Sequence, residues 1–508
     1  MKNRTIFLMI AATGTVCCLI LSCAKGYYRA GEMEYLRDNF AGYTAQADGQ
    51  MPQEPPQNPG AGDRFDEIVE NPFVAVSEEP QSTFSVDADG ASYAYMRRFV
   101  KGGNLPQANA VRIEEFLNYF TFDYPDPADG GDIALNAETA ACPWNPEHQL
   151  LRLGIKGKSI PAGEEPQANF VFLIDISGSM DYSDKLPVLK AGLIKMLEQM
   201  RSTDRVAIVT YANGEDLLLP STPVSSKNKI VNAIKQLSAR GSTAGAQAMK
   251  MAYEEATRNF IEGANNRIIM GTDGDFNVGV TSTEALKEMV ENYASRGIYL
   301  TICGFGTGNL NDAMMESVSN SGNGTYHYID SEEEMLKVFV YERERFVAVA
   351  NDCKVQVTFN PAAVEKYRLI GYENRVMASE DFENDKKDAA EIGSGQTITA
   401  LYEIIPAEGA AADTSPAKFD FRYKKALGGE SIPLTLTAPA LTATPSENFR
   451  FAASLAAFGL TLRSSEYRGS ASIDLARELA GNAGTYDPDG FRKEYRDLLA
   501  KAAALQRQ

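Results

Sequence analysis

Hydrophobic and polar positions change rhythm several times along the chain, and each change marks a predicted element or boundary. Thr5 to Ile20 is almost wholly apolar behind a basic start at Lys2 and Arg4. That run has signal-peptide length and is short for a membrane span. Ala24 to about Pro59 shows no period and is rich in Gly, Gln, Pro and Ala, the composition of a flexible tether. In the next stretch, 64–161, V-R-I-E-E-F-L-N-Y-F (Val111–Phe120) has helical spacing and L-L-R-L-G-I-K (Leu150–Lys156) alternates like a strand.

Between Ala168 and Val349 the pattern becomes a regular alternation of strand and helix. N-F-V-F-L-I-D (Asn169–Asp175) is nearly all apolar, as a strand covered on both faces requires. Asp184–Met200 carries a helical apolar stripe, and R-V-A-I-V-T-Y (Arg205–Tyr211) is a strand with D-L-L-L-P within hairpin distance. Helices over Ser226–Ala239 and Ala244–Phe260 precede the strand Arg267–Thr272. Helix Thr283–Arg296, strand Ile298–Cys303, helix Leu310–Asn320, strand Thr325–Ile329 and helix Glu332–Val349 complete the series. The fold class is α/β: a doubly wound, mostly parallel, Rossmann-like sheet that presents ligand sites at its strand C-terminal ends. From 350 to 508 strands dominate first (Lys354–Phe359, Thr397–Ile404, Phe419–Tyr423, Pro433–Thr437). The end is helical: Phe449–Leu462 is apolar nearly all round, and Asp489–Leu505 is amphipathic. Strands on both sides of the central segment, about 133–158 and 354–437, are expected to pair in one sheet of a companion unit.

Composition narrows the chemistry. The 508 residues carry 49 basic and 68 acidic side chains, a formal charge of −19, which offers no attraction to nucleic acid. The two histidines, His148 and His327, exclude His-rich zinc cages and argue against a Ser-His-Asp hydrolase. Six cysteines are too few for a disulfide scaffold. Beyond the leader the chain keeps Cys142, Cys303 and Cys353; either Cys142 pairs with Cys353 or all three stay unpaired.

The chemistry must therefore use oxygen ligands, and three pieces of the α/β segment supply them at predicted strand ends. They are Asp175-Ile176-Ser177-Gly178-Ser179, Gly241-Ser242-Thr243-Ala244-Gly245 and Thr272-Asp273-Gly274-Asp275. Two carboxylates and three hydroxyls suit a hard cation such as Mg²⁺, with Mn²⁺ or Ca²⁺ as alternatives.

In these motifs the sequence resembles the von Willebrand factor type A domain with its metal-ion-dependent adhesion site. The resemblance implies six strands in the order 3-2-1-4-5-6, the third antiparallel. It also implies that Ser177 and Ser179 ligate the metal, Thr243 does so directly or through water, and Asp175 and Asp273 hold metal-bound waters. An open coordination position would take an Asp or Glu of a protein partner. S-T-F-S-V-D-A-D-G-A-S-Y (Ser82–Tyr93) and Y-R-L-I-G-Y-E-N-R (Tyr367–Arg375) with Asp381–Gly395 extend the likeness to a family of bacterial von Willebrand-type lipoproteins. Ile20-Leu21-Ser22-Cys23 resembles a lipobox. That implies a signal peptide over 1–22, a lipidated Cys23, a tether over 23–63 and anchorage in the bacterial cell envelope.

Rival readings are weaker. Asp273–Asn277 imitates a calcium loop, yet Val278 stands where the sharp turn needs Gly. Gly304–Asn309 hints at a dinucleotide loop but lacks the third glycine and comes late in the sheet; no nucleotide is expected. Asp87–Gly90 reads as a turn, His327 as a structural residue, Trp144 as a packing anchor, and Glu332–Glu334 as a first helical turn. The expected function is a non-enzymatic, lipid-anchored binding protein. The alternatives are a metal-dependent envelope enzyme or subunit, and a scaffold with an inactive metal site.

Overall fold

The computed structural model of the chain describes residues 62–86, 89–128, 130–161, 163–241, 245–274, 282–385, 387 and 389–507. The leader, Cys23, nearly all of the tether and Thr243 lie outside them. Chain order begins with strands β1 (Val74–Ala75) and β2 (Gln81–Ser85), helices α1 (Ala91–Lys101) and α2 (Ile113–Asn118), and strands β3 (Ile133–Ala141) and β4 (Gln149–Gly157). The α/β segment follows. It runs β5 (Ala168–Asp175), α3 (Leu186–Gln199), β6 (Arg205–Tyr211), β7 (Glu215–Pro223), α4 (Lys227–Gln236), α5 (Gly245–Arg258), β8 (Asn265–Thr272), α6 (Thr283–Ala294), β9 (Ile298–Phe305), α7 (Asp312–Ser321), β10 (Tyr326–Ile329) and α8 (Glu332–Leu336).

The sheet order is β10-β9-β8-β5-β6-β7. All neighbours are parallel except β6 and β7, which form an antiparallel pair. Counted from β5, this is the 3-2-1-4-5-6 order that the resemblance implies. Every residue of β5 is buried. Phe170, Phe172 and Ile174 enter the core beneath α3, α4 and α8, whereas Val171 and Leu173 enter the opposite core beneath α5, α6 and α7. Two-sided burial explains the unbroken apolar run, because alternate side chains serve two different helical layers.

After the insert come β11 (Ala348–Phe359), β12 (Val364–Ile370), β13 (Val376–Met377), β14 (Ile392–Gly393), β15 (Thr397–Pro406), β16 (Ala417–Lys424), β17 (Ser431–Thr437) and β18 (Leu441–Thr442). Helices α9 (Glu447–Arg463), α10 (Ile473–Gly481) and α11 (Phe491–Gln506) close the described chain. The flanks form two sheets, not the single sheet expected. One runs β1-β12-β15-β4-β3-β18, the other β13-β2-β11-β16-β17, so each joins strands from before and after the insert. The reason is hydrophobic. Leu151, Leu153, Ile155, Ile398 and Tyr402 of the first sheet share a core with Phe84, Val355, Val357, Phe419 and Phe421 of the second. A single sheet would leave that face in water.

The far side of the first sheet carries helices. Leu150, Ile370 and Leu401 meet Phe116 of α2 and residues of α9, α10 and α11; α9, apolar on nearly all faces, lies at the centre. Helix α1 has two apolar faces. Tyr93, Met96 and Val100 join this helical core, while Ala91, Ala94, Tyr95 and Phe99 join the core of the α/β domain. Between the faces, the guanidinium of Arg97 is bound by Asp330, by Glu334 at 2.8 Å, by the Tyr119 hydroxyl at 2.6 Å and by Glu494 at 3.3 Å.

Two expectations change. The helix expected over Glu332–Val349 is regular only to Leu336. It continues as a wide turn over Lys337–Tyr341 and a tight one over Arg343–Phe346, and extended chain begins at Ala348. Tertiary contacts outweigh the periodicity here: Lys337 is drawn over the Tyr119 ring at 4.1 Å and pairs with Glu342 at 2.7 Å. The three described cysteines are buried free thiols. Cys142 sits in the helical core and Cys353 between the two sheets, so no bridge joins them.

Candidate metal centre

Because β5 and β8 are parallel neighbours, with Ile174 opposite Gly271, their C-terminal ends lie at one edge of the sheet. Asp175 and Thr272-Asp273 therefore meet there. One Asp175 carboxylate oxygen accepts the Ser177 N–H at 2.8 Å, and the other accepts the Thr272 hydroxyl at 3.2 Å. The Gly274 N–H in turn donates to Thr272 Oγ1 at 3.3 Å. Ser177 and Ser179 place their Oγ atoms 3.0 Å apart. Asp175 and Asp273 are fully buried, Ser177 is 2% exposed, Ser179 is half-buried and Gly178 is exposed. The carboxylates thus form a floor beneath the Ser177–Ser179 hydroxyl pair, of which Ser179 is the more exposed.

The third loop is tied to the first by its backbone. The Arg240 N–H donates to Ile176 O at 2.6 Å and the Gly178 N–H to Gly241 O at 3.0 Å. The chain leading to Thr243 is therefore held against the serine loop; Thr243 itself lies outside the described residues.

Electrostatics favour a cation. Burial, and then the neighbouring Asp273 charge, push the Asp175 carboxyl up to about 6. Lys185, itself buried, supplies partial compensation with its ammonium 3.3 Å from Asp273 Oδ2. Gly306 lets the lysine reach that far, since a Cβ there would stand 2.3 Å from Lys185 Cε. One ammonium against two buried carboxylates leaves a negative pocket. Among the described residues no three His, Cys, Asp or Glu side chains gather. The donor set is accordingly carboxylate and hydroxyl oxygen, which fits a hard divalent ion with retained waters and not zinc.

Four of the sequence-predicted residues, Asp175, Ser177, Ser179 and Asp273, are brought together. The sequence reading named Thr272 only as part of its motif, without a role, and missed Lys185 and Tyr211. Tyr211 ends β6 beside Asp175, its phenol pushed well above the usual range by burial and by that carboxylate. Thr272 and Tyr211 share the strand-end position of Asp175, so register could have found them. Lys185 had no such signal, because its reach depends on how the coil after Met180 folds back.

The remaining candidates have structural roles. His327 bonds Thr325 Oγ1 at 3.0 Å; burial and then Lys337 and Arg345 pull its imidazole down to about 3. It lines a cavity of about 50 Å³ where the α/β domain meets the flanking sheets; Arg267, Arg345 and Arg375 face Asp89, Glu342 and Glu391 there, a balanced set. Trp144 is buried and donates to Glu403 at 3.3 Å. Ser331 caps the acidic turn at Glu332–Glu334. Gly306 and Gly308 adopt positive φ in a strand-to-helix turn, and residues 275–278 of the calcium-like loop lie outside the described set.

Comparison with known proteins identifies the domains. The von Willebrand factor type A domain family matches residues 169–341, a von Willebrand factor family matches 59–152, and the family described as "Uncharacterized protein YfbK, C-terminal" matches 344–505. The Escherichia coli (strain K12) protein YfbK is 40% identical over 471 residues, covering 88% of this chain and 82% of that one. Bovine inter-alpha-trypsin inhibitor heavy chain H3 is 33% identical over 187 residues, 34% of this chain and 20% of that one. Among solved structures, a von Willebrand factor type A protein from Catenulispora acidiphila covers 75% of this chain and 91% of its own, at 14% identity and a TM-score of 0.43. Domains of this type generally mediate protein–protein contacts and often hold a divalent metal. With three family matches in register and one full-length relative, the chain belongs to the YfbK family of von Willebrand factor type A domain proteins.

Proposed function

We propose that the chain is a lipid-anchored cell-envelope protein that captures an acidic group of a protein partner through Mg²⁺ at the β5–β8 strand ends. Ser177 and Ser179 would hold the ion directly, with Thr243 completing the set, while Asp175 and Asp273 accept hydrogen bonds from its waters and neutralise it. A coordination position left open toward solvent takes the partner's Asp or Glu. The observation that carries this reading is the pair of fully buried carboxylates at adjacent parallel strand ends, compensated by one ammonium and roofed by serine hydroxyls.

The test is calorimetric titration of Mg²⁺ and Mn²⁺ into chelator-stripped protein beside Asp175→Ala/Ser177→Ala. Saturable binding lost in the double variant supports the site; no binding to wild type refutes it. Anchorage rests on Ile20–Cys23. Labelled fatty acid should enter the wild type and not Cys23→Ser, and equal labelling would end that part. The reading is non-enzymatic; phosphatase or peptidase turnover abolished by Asp175→Ala would replace it with a metal-assisted reaction.

A further inference from the structure

The sequence places residues up to 63 in a flexible tether, yet the described end of that tether is built into the fold. Asp63 Oδ1 accepts two backbone N–H groups of the β9–α7 loop, Gly308 at 2.6 Å and Leu310 at 3.1 Å. Its Oδ2 accepts the Tyr95 hydroxyl at 2.9 Å. The next residue extends the attachment: the Arg64 N–H donates to Leu310 O at 2.8 Å, and Arg64 pairs with Asn311 as a parallel bridge. Phe65 then packs edge-on against Tyr95, with ring centroids 4.9 Å apart.

The loop held in this way has a second face, which touches the metal centre. Gly274, directly after Asp273, sits at φ +94°, and a Cβ there would lie 2.8 Å from the Asn311 N and 2.9 Å from the Leu310 Cα. The same loop provides Gly306, against which the Lys185 chain runs on its way to Asp273. Both the backbone of Asp273 and its counter-charge therefore rest on residues 306–311, and Asp63 fixes those residues from outside.

We propose that Asp63 is a positioning residue of the metal centre: through the loop at 306–311 it sets the place of Asp273, so the N-terminal segment and the metal site are coupled. The inference rests on the metal reading above for its consequence but on the loop geometry alone for its mechanism. The loop that this carboxylate holds is the one that supports Asp273.

The experiment compares wild type, Asp63→Ala, Asp63→Asn and Tyr95→Phe as full-length protein, using amide hydrogen exchange in chelator and Mg²⁺ titration. Asp63→Ala is expected to raise exchange at Gly308 and Leu310 and at Asp273–Gly274, each about tenfold, and to weaken Mg²⁺ binding by about the same factor, the loss of roughly one charge-assisted hydrogen bond. Asp63→Asn keeps an oxygen for both N–H groups but not the charge or the Tyr95 acceptor, and should lie nearer to wild type than Asp63→Ala does. Tyr95→Phe, which removes one contact without disturbing the core, should fall between. Faster exchange confined to 308–310, with Asp273–Gly274 and Mg²⁺ affinity unchanged, overturns the coupling; so does an Asp63→Asn variant as impaired as Asp63→Ala. If wild type takes up no Mg²⁺, the metal reading fails by itself, and exchange at Asp273–Gly274 still decides the mechanical link.

Discussion

Asp175→Asn removes one of two buried negative charges while keeping the shape of the side chain and an oxygen for the Ser177 N–H. The carboxyl ordinarily titrates at 3.8 and here is raised to about 6 by burial and by Asp273. A raised carboxylate means that the protonated form suits the fold better: its stability is complete below the unfolded value and is lost as pH rises through about 6. At pH 7.5 the metal-free protein therefore bears the whole penalty, about 3 kcal/mol at roughly 1.4 kcal/mol per unit. The amide leaves the Thr272 hydroxyl without a carboxylate acceptor, which costs about 1 kcal/mol. The net expectation is a gain of about 2 kcal/mol in chelator, or about 4–8 °C in melting temperature for a domain of this size. With Mg²⁺ at 100 times its dissociation constant the wild type gains about 2.7 kcal/mol and the variant nothing, so the order reverses. Scanning calorimetry of both proteins, in chelator and in Mg²⁺, makes the comparison. A variant that melts below wild type in chelator would show that the carboxylate pair is not frustrated and that the electrostatic case for a cation is wrong.

Three further outcomes are expected. His327 is held neutral, its value pulled down to about 3, so it lends stability above pH 6.5 that is lost as pH falls toward 3. His327→Gln should flatten the pH dependence of urea stability from pH 7 to 5 by about 2 kcal/mol, and an unchanged slope would count against its burial as the cause. Arg97→Met strands the carboxylates of Asp330 and Glu334 in a buried setting and should cost about 3–5 kcal/mol in chemical denaturation. Leu153→Ala, in the core between the two flanking sheets, should cost about 2–5 kcal/mol, with Mg²⁺ affinity unchanged because the cavity lies in the other unit.

Much of the α/β domain was legible because a strand buried on both faces is written as an apolar run, and in β5 and β8 that run gives way to Asp175 and to Thr272-Asp273. Asp175 and Asp273 follow directly from that rule, since adjacent parallel strands must release their chains at one edge. What the sequence concealed depends on contacts far apart in the chain. Arg343–Val349 keeps a helix-compatible pattern, yet Asn265 and Arg267 donate to Phe346 O at 2.8 and 3.0 Å and hold it at the rim of the sheet. The expected strand starts at Lys354, but β11 starts at Ala348 and carries an irregularity at Asn351-Asp352-Cys353, where Asp352 takes φ +52° and pairs with Lys424 at 2.8 Å. Asp63 was assigned by composition to a tether because nothing local in G-A-G-D-R-F reports the two amide groups that await it.

The two flanking sheets, each stitched from strands on either side of the α/β domain, impose an order of assembly. Leu153 of β4 pairs with Ala400 of β15, roughly 250 residues later, so that ladder must await the chain between them. The α/β domain, whose strand neighbours are closer in sequence, can form earlier and shorten the effective loop, bringing β4 and β11 to one end of a compact body. Until then the β3–β4 hairpin presents Leu151, Leu153 and Ile155 on an unpaired edge, the kind of surface on which strands of other chains add. A chain halted before residue 397 would carry that edge permanently. Truncation between β10 and residue 397 should therefore give aggregated protein rather than a shortened one with a working metal centre.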